Sequence, residues 1–237
     1  GGLTGCEVLV RWQCPKRGAV GPDVFIPLAE SNNLISGITA FVVRQANKEL
    51  VESGMLGDTI RRVSVNISAQ EFNSEKLMSS LLTMLHQSPQ LYPYLQLEIT
   101  ETAALSDLSA SVRLLTRLRE LGLKFSIDDF GTGYSSLAML KNLPIDEIKI
   151  DRDFIHDLLD QPRVRAIVEA VATMARTLEI SVVAEGVETQ EQLEQIRFCG
   201  CHEVQGYLTA RPMEIGQLTD FVRNQWSSVS VVQPVNQ

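Results

Sequence analysis

At 237 residues the chain has room for one large core, and with 44% hydrophobic and 21% charged residues it reads as globular rather than disordered. A net charge of −8 argues against a nucleic-acid clamp, which needs a basic face, yet leaves a phosphate substrate open if metal ions offset the carboxylates. No apolar run approaches the length of a membrane span, and the first residues carry no signal-peptide pattern.

Short apolar strands alternate with longer amphipathic stretches from end to end. The opening Gly1-Gly-Leu-Thr-Gly5 has the character of the middle of a turn, so the natural protein is expected to begin further upstream. A strand follows near Glu7–Trp12, and Gly21-Pro-Asp23 suits a helix start. A long helix covers about Ser36–Ser53, and the next strand lies at Arg62–Ile67. Helix Ser74–Gln87, strand Leu95–Thr100, helix Leu108–Leu121 and strand Lys124–Asp128 come next. The second half places strands at Glu147–Ile150, Ser181–Ala184 and Glu203–Gly206, between helices at Pro162–Glu179, Gln190–Cys199 and Ile215–Gln225. Residues from Trp226 on read as a tail, leaving residues 1–225 as one domain. Alternation of this kind indicates parallel strands joined by crossover helices. Seven such strands predict an α/β fold, a TIM-like (β/α) barrel short of its first strand, which would precede residue 1.

The strands carry an unusual pattern. Residues two apart share a strand face. One face collects Ser64, Asn66 and Ser68; then Gln96, Glu98 and Thr100; then Ser126 and Asp128; then Glu147, Lys149 and Asp151. Glu7, Leu9 and Arg11 share a face of the first strand, Glu185 follows Val183, and Gln205 follows Glu203. Barrel interiors are usually filled with branched apolar side chains. Buried charges persist only when paired or bound to metal, so this polar set has to converge on something. Single carboxylates at strand ends can be exposed and idle; that does not account for Glu7, Asn66, Glu98, Asp128, Asp129 and Glu185 together.

Asp128 and Asp129 stand side by side where a strand gives way to the glycine turn Phe130–Gly133. Adjacent carboxylates repel unless a positive group sits between them. Carboxylates with one Asn carbonyl are hard oxygen ligands, suited to Mg²⁺ or Mn²⁺. A pair of such cations favours in-line displacement at phosphorus, with Asp128 the natural bridging ligand. Lys149 could neutralise charge, orient a water or form a Schiff base; the last would make the chain a metal-independent aldolase, which the crowd of carboxylates opposes. His86, His156 and His202 fall outside the polar faces, and Cys6, Cys14, Cys199 and Cys201 lack zinc-like spacing. The pair Cys199-Gly-Cys201 leaves metal or redox chemistry open, with free thiols the simpler reading. The residues alone thus reach a metal-dependent phosphoester hydrolase on a barrel.

The motifs then resemble one family. The sequence is similar to EAL domains, bacterial phosphodiesterase modules acting on cyclic di-GMP, with the name motif present as Glu7-Val-Leu-Val-Arg-Trp12 and Val8 in place of the usual Ala. Phe25–Ile35, Val65-Asn-Ile-Ser68, Glu98-Ile-Thr-Glu101, Asp128–Leu137, Leu143–Asp151, Val183–Thr189 and Gln205-Gly-Tyr207 follow in the family's order. The resemblance implies Glu7, Asn66, Glu98 and Asp128 as ligands of one Mg²⁺ or Mn²⁺, and Asp128, Asp129 and Glu185 around a second. It implies Lys149 as the lysine contacting the attacking water, Asp151 as the carboxylate holding that lysine, and Glu185 as candidate general base. Arg11, Gln205 and Glu188 would meet substrate phosphate, pocket wall and guanine edge. Glu101, Gly131 and Gly133 would brace the aspartate loop and connect it to a homodimer interface. The implied reaction hydrolyses one phosphodiester of cyclic di-GMP to linear pGpG, in the cytoplasm, under an upstream sensory or regulatory domain. The competing function is a receptor module that holds cyclic di-GMP without cutting it.

Overall fold

The computed structural model describes residues 2–132 and 137–226. The expected tail beyond Trp226, and Gly133 and Tyr134 of the glycine turn, lie outside the described residues. The chain opens with β1 (Cys6–Glu7), a hairpin of β2 (Trp12–Cys14) and β3 (Gly18–Val20), then α1 (Pro22–Ser31) and α2 (Ile35–Ser53). Next come β4 (Val63–Asn66), α3 (Ala69–Phe72), α4 (Glu75–His86), β5 (Leu95–Thr100), α5 (Glu101–Leu105) and α6 (Leu108–Glu120). The second half holds β6 (Lys124–Phe130), α7 (Leu137–Asn142), β7 (Glu147–Ile150), α8 (Arg152–Asp157) and α9 (Pro162–Thr177). It closes with β8 (Ser181–Ala184), α10 (Gln190–Phe198), β9 (Glu203–Val204) and α11 (Ile215–Trp226).

Seven strands form one sheet in the order β1-β4-β5-β6-β7-β8-β9, every neighbouring pair parallel. This is the TIM-like arrangement expected from the alternation, with β1 and β9 as its two edges. The apolar strand face, with Val63, Val65, Leu97, Ile99, Phe125, Ile127, Ile148 and Ile150 buried, packs under the helices. The helices answer with stripes at three- and four-residue spacing: Val42, Val43, Ala46 and Leu50 of α2, and Val168, Ala172 and Ala175 of α9.

The first predicted strand is mostly absent as a strand. Val8 still donates its backbone N–H to the Ser64 carbonyl at 2.9 Å, after which the chain leaves the sheet. Trp12 then enters the antiparallel hairpin and meets Phe25 edge-on, ring centroids 5.8 Å apart. The last strand is also shorter than expected, although Gln205 N–H still reaches the Ala184 carbonyl at 2.8 Å. The periodicity did not reveal α3, α5 and α8, helices of 4, 5 and 6 residues that start at the strand ends. They are too short to show periodicity, yet each starts on a side-chain cap: Ser68, Thr100 and Asp151 accept from the backbone N–H groups of Glu71, Ala103 and Asp153.

Candidate active site

The polar strand faces converge inside the sheet's curl in two layers. In the deeper one, Arg62 lies 2.8 Å from Glu147 and is also paired with Glu203. Glu147 accepts further hydrogen bonds from Gln96 Nε2 at 2.6 Å and Ser126 Oγ at 3.2 Å. Thr4 Oγ1 donates to Glu203 at 3.1 Å. Burial pushes the Glu147 carboxyl above its ordinary range, despite the opposing pull of Arg62. For Glu203 burial is outweighed by Arg62, and its pKa is lowered. This layer ties β9 to the segment before β4, across a seam where β1 and β9 share no backbone pairing.

Above it, Lys149 projects from β7 with its side chain 2% exposed. Its Nζ lies 2.7 Å from Glu185, 2.9 Å from Glu98, and 3.5 Å from both Glu7 and Asp128. Burial would lower the lysine's pKa, but these four carboxylates override it and hold the ammonium well above its ordinary range. Burial, with repulsion from the neighbouring acids, pushes Glu98 up to about 8 and Glu185 up to about 7 even though Lys149 opposes both shifts. Glu7 is fixed from two sides: Asn66 Nδ2 donates to Oε1 at 2.6 Å and Gln205 Nε2 to Oε2 at 2.7 Å.

At the carboxyl ends of β6 and β8, ligand oxygens of Asp128, Asp129 and Glu185 lie within 4.8 Å of one another. The register between β6 and β7 shifts between Ile127 and Phe130, and Asp129 takes a left-handed φ of 53°. That conformation costs a non-glycine residue on the order of 1–3 kcal/mol and turns consecutive carboxylates toward one space. Asp129 N–H donates to Asp128 Oδ1 at 3.0 Å, and the next N–H but one, that of Gly131, donates to Glu101 Oε2 at 2.9 Å. Burial, then Asp128 and Asp151, push the Asp129 carboxyl up.

Four carboxylates, Glu7, Glu98, Asp128 and Glu185, pair with one ammonium, and Asp129 and Asp151 adjoin them, six acids to one cation. If all are ionised, five negative charges stay uncompensated, and two divalent cations would offset four. The donors are oxygens, so the set fits hard cations and not zinc or copper.

The remaining expected residues are placed as follows. Asp151 lies differently from what the resemblance implies: the lysine's ion pairs are with Glu7, Glu98, Asp128 and Glu185, while Asp151 faces Asp129. The strand has ended by residue 151, and its Oδ1 accepts from Asp153 N–H at 2.8 Å as the cap of α8. Arg11 is exposed, its guanidinium donating to the Val10 carbonyl at 2.9 Å, on the wall of a cavity of about 600 Å³. Val8, Ile26, Ile35, Ile38 and Val65 line that cavity, and Asn66 and Thr100 connect it to the acids. Glu188 is exposed on the loop after Glu185. The three histidines are exposed, and Cys199 and Cys201 are buried away from these carboxylates. Sequence reasoning missed Arg62 as the counter-charge to Glu147. It also missed Gln192, whose signal, Thr189-Gln-Glu-Gln192 ahead of Leu193, is a capping box readable in the sequence.

The sequence matches the EAL domain family over residues 1–212. It is 44% identical over 217 residues to "Cyclic di-GMP phosphodiesterase NbdA" of Pseudomonas aeruginosa, covering 92% of this chain and 28% of NbdA. The oxygen sensor protein DosP of Escherichia coli is 39% identical over 213 residues, covering 90% of this chain and 27% of DosP. The chain therefore spans less than a third of these two relatives. Among solved structures, the "PaMucR Phosphodiesterase, c-di-GMP complex" superposes with a TM-score of 0.83 at 41% identity, over 90% of this chain and 87% of that one. By the family match over residues 1–212 and the identity to these relatives, the chain belongs to the EAL domain family.

Proposed function

We propose that this chain hydrolyses one phosphodiester bond of cyclic di-GMP to linear pGpG, with two Mg²⁺ or Mn²⁺ ions as cofactors. The observation that carries the reading is the charge imbalance: one buried ammonium among six carboxylates at the carboxyl ends of parallel strands. The names of NbdA and of the MucR complex supply the substrate class. Glu7, Asn66, Glu98 and Asp128 would hold one cation, and Asp128, Asp129 and Glu185 the other. Bound there, the cations would acidify water and offset charge developing on the phosphoryl oxygens.

The chain's own side chains do the rest. Water oxygen bonds to phosphorus, one ribose oxygen leaves, and the leaving oxygen takes up a proton. Glu185, 2.7 Å from Lys149, is the candidate to accept the proton that water gives up. Lys149 stays charged, so it orients water and steadies anionic oxygens; a Schiff base would need its neutral amine. Gln205 and Asn66 keep the Glu7 carboxylate aimed. Arg11 is placed to meet the phosphate at the mouth of the apolar cavity, whose walls suit a flat base, and Glu188 to accept from a guanine edge. Homodimerisation through the Glu101–Gly131 region and control by a further domain belong to the same reading.

Chromatography of cyclic di-GMP incubated with protein and Mg²⁺, with a chelated control and Glu7→Ala, tests it. Linear pGpG that disappears in both controls is the expected result. Tight binding of cyclic di-GMP with no product would replace the enzyme by a receptor.

A further inference from the structure

The two loops that carry Asp129 and Glu185 meet one short helix between them. Gly131, two residues beyond Asp129, has φ 102°, and a Cβ there would lie 2.7 Å from Cε2 of Phe154. Gly186, directly after Glu185, has φ 68°, and a Cβ there would lie 2.5 Å from Cβ of Arg152. Arg152 and Phe154 both belong to α8. That helix is therefore wedged between the two loops, touching the backbone of each where only glycine lets it approach.

Gln192 locks the Glu185 side of the wedge. Its side chain is buried, and Oε1 accepts from the backbone N–H of Glu188 at 2.8 Å and of Thr189 at 3.0 Å. Its Nε2 donates to the Ile155 carbonyl of α8 at 3.2 Å. A capping box is served equally by Glu or Gln at this position. The bond to Ile155 is different, because a carbonyl needs a donor and only the amide supplies one. The amide thus does something that helix capping alone does not require.

We propose that Phe154 and Gln192 are positioning residues which, through α8, fix the spacing of Asp129 and Glu185 and so set the affinity of the acidic cluster for a divalent cation. This rests on the metal-site reading above. Partners that orient ligands from outside the coordination sphere typically change metal affinity by roughly 10- to 100-fold when removed.

The test is a Mn²⁺ titration followed by electron paramagnetic resonance on the unaltered chain, Gln192→Glu and Phe154→Leu, with thermal unfolding in chelator alongside. Gln192→Glu keeps the capping box and replaces the tie to Ile155 by a carboxylate facing that carbonyl, while Phe154→Leu changes no charge. Each variant is expected to bind Mn²⁺ about tenfold more weakly. With cyclic di-GMP saturating, turnover should fall at subsaturating Mn²⁺ and recover as Mn²⁺ is raised, while KM for the nucleotide is unchanged. Variants that bind Mn²⁺ as tightly as the unaltered chain, whatever their unfolding temperatures, would overturn the proposal and leave the metal site standing. An unaltered chain that binds no Mn²⁺ would overturn both.

Discussion

Replacing Arg62 by Met keeps the aliphatic stem and removes the guanidinium from the deep polar layer. The Glu147 carboxylate, 1% exposed, would then lose its cation while keeping hydrogen bonds from Gln96 and Ser126. Stranding one member of a buried pair costs about 3–5 kcal/mol. Glu203 is 27% exposed at its side chain, so its lost pairing adds about 1 kcal/mol or less. In a domain of this size the main term corresponds to a fall in Tm of roughly 6–20 °C. Glu147 already sits above its ordinary pKa because of burial, and losing Arg62 raises it further. A carboxyl raised in the folded state favours folding at low pH and loses that contribution as pH rises through its folded pKa. The deficit should therefore be largest near neutrality and shrink in acid, and Arg62→Met with Glu147→Gln should recover most of it. Urea unfolding at two pH values measures this. A single-variant cost near 1 kcal/mol, or a double variant no more stable than the single, would mean that Glu147 does not depend on Arg62 for its charge.

The upper layer in chelator should lose stability with rising pH for the same reason. The folded-state pKa values of Glu98 and Glu185 are raised to about 8 and about 7, so the native state retains protons that the unfolded chain has released. The unfolding temperature of the metal-free protein should fall as pH rises from 5 to 8, and Mg²⁺ should remove the slope; calorimetry with and without chelator reads both. Glu101→Ala leaves the Gly131 N–H without the acceptor it has at 2.9 Å, a loss of about 1–3 kcal/mol, and should lower hydrolysis and raise hydrogen exchange at that amide. Ca²⁺, with its larger and more flexible shell, should support little turnover; product formation equal to that in Mg²⁺ would count against a tight two-cation site. With Ellman's reagent, half-buried Cys14 should react in the native protein, whereas buried Cys201, pushed up by burial to about 12, should react only on unfolding.

Much of this architecture was legible because strand periodicity and chemistry agreed. Glu98 and Lys149 sit on polar faces whose opposite sides, Leu97 and Ile99 or Ile148 and Ile150, are buried as the alternation requires. What escaped notice came from contacts without a local signature. Arg62 meets Glu203 across the sheet, 141 residues away, and no window along the chain contains both. Asp151 reads as a strand-face partner of Lys149 until the chain turns into α8 and gives the carboxylate a helix to cap. The edge-strand positions 8–11 carry the alternation of a strand and leave the sheet all the same, because the hairpin and the Trp12–Phe25 contact take the chain elsewhere.

The seam between β1 and β9 gives the site a second meaning. Among the described residues no backbone ladder joins these edges, and side chains bridge them: Thr4 and Arg62 on Glu203 below, Gln205 on Glu7 above. The upper bridge ends on the carboxylate that also faces Lys149. One acid therefore serves as both a wall tie and part of the reactive interior. Whatever alters its charge is felt by the wall, and any force that parts the edges is felt by the chemistry.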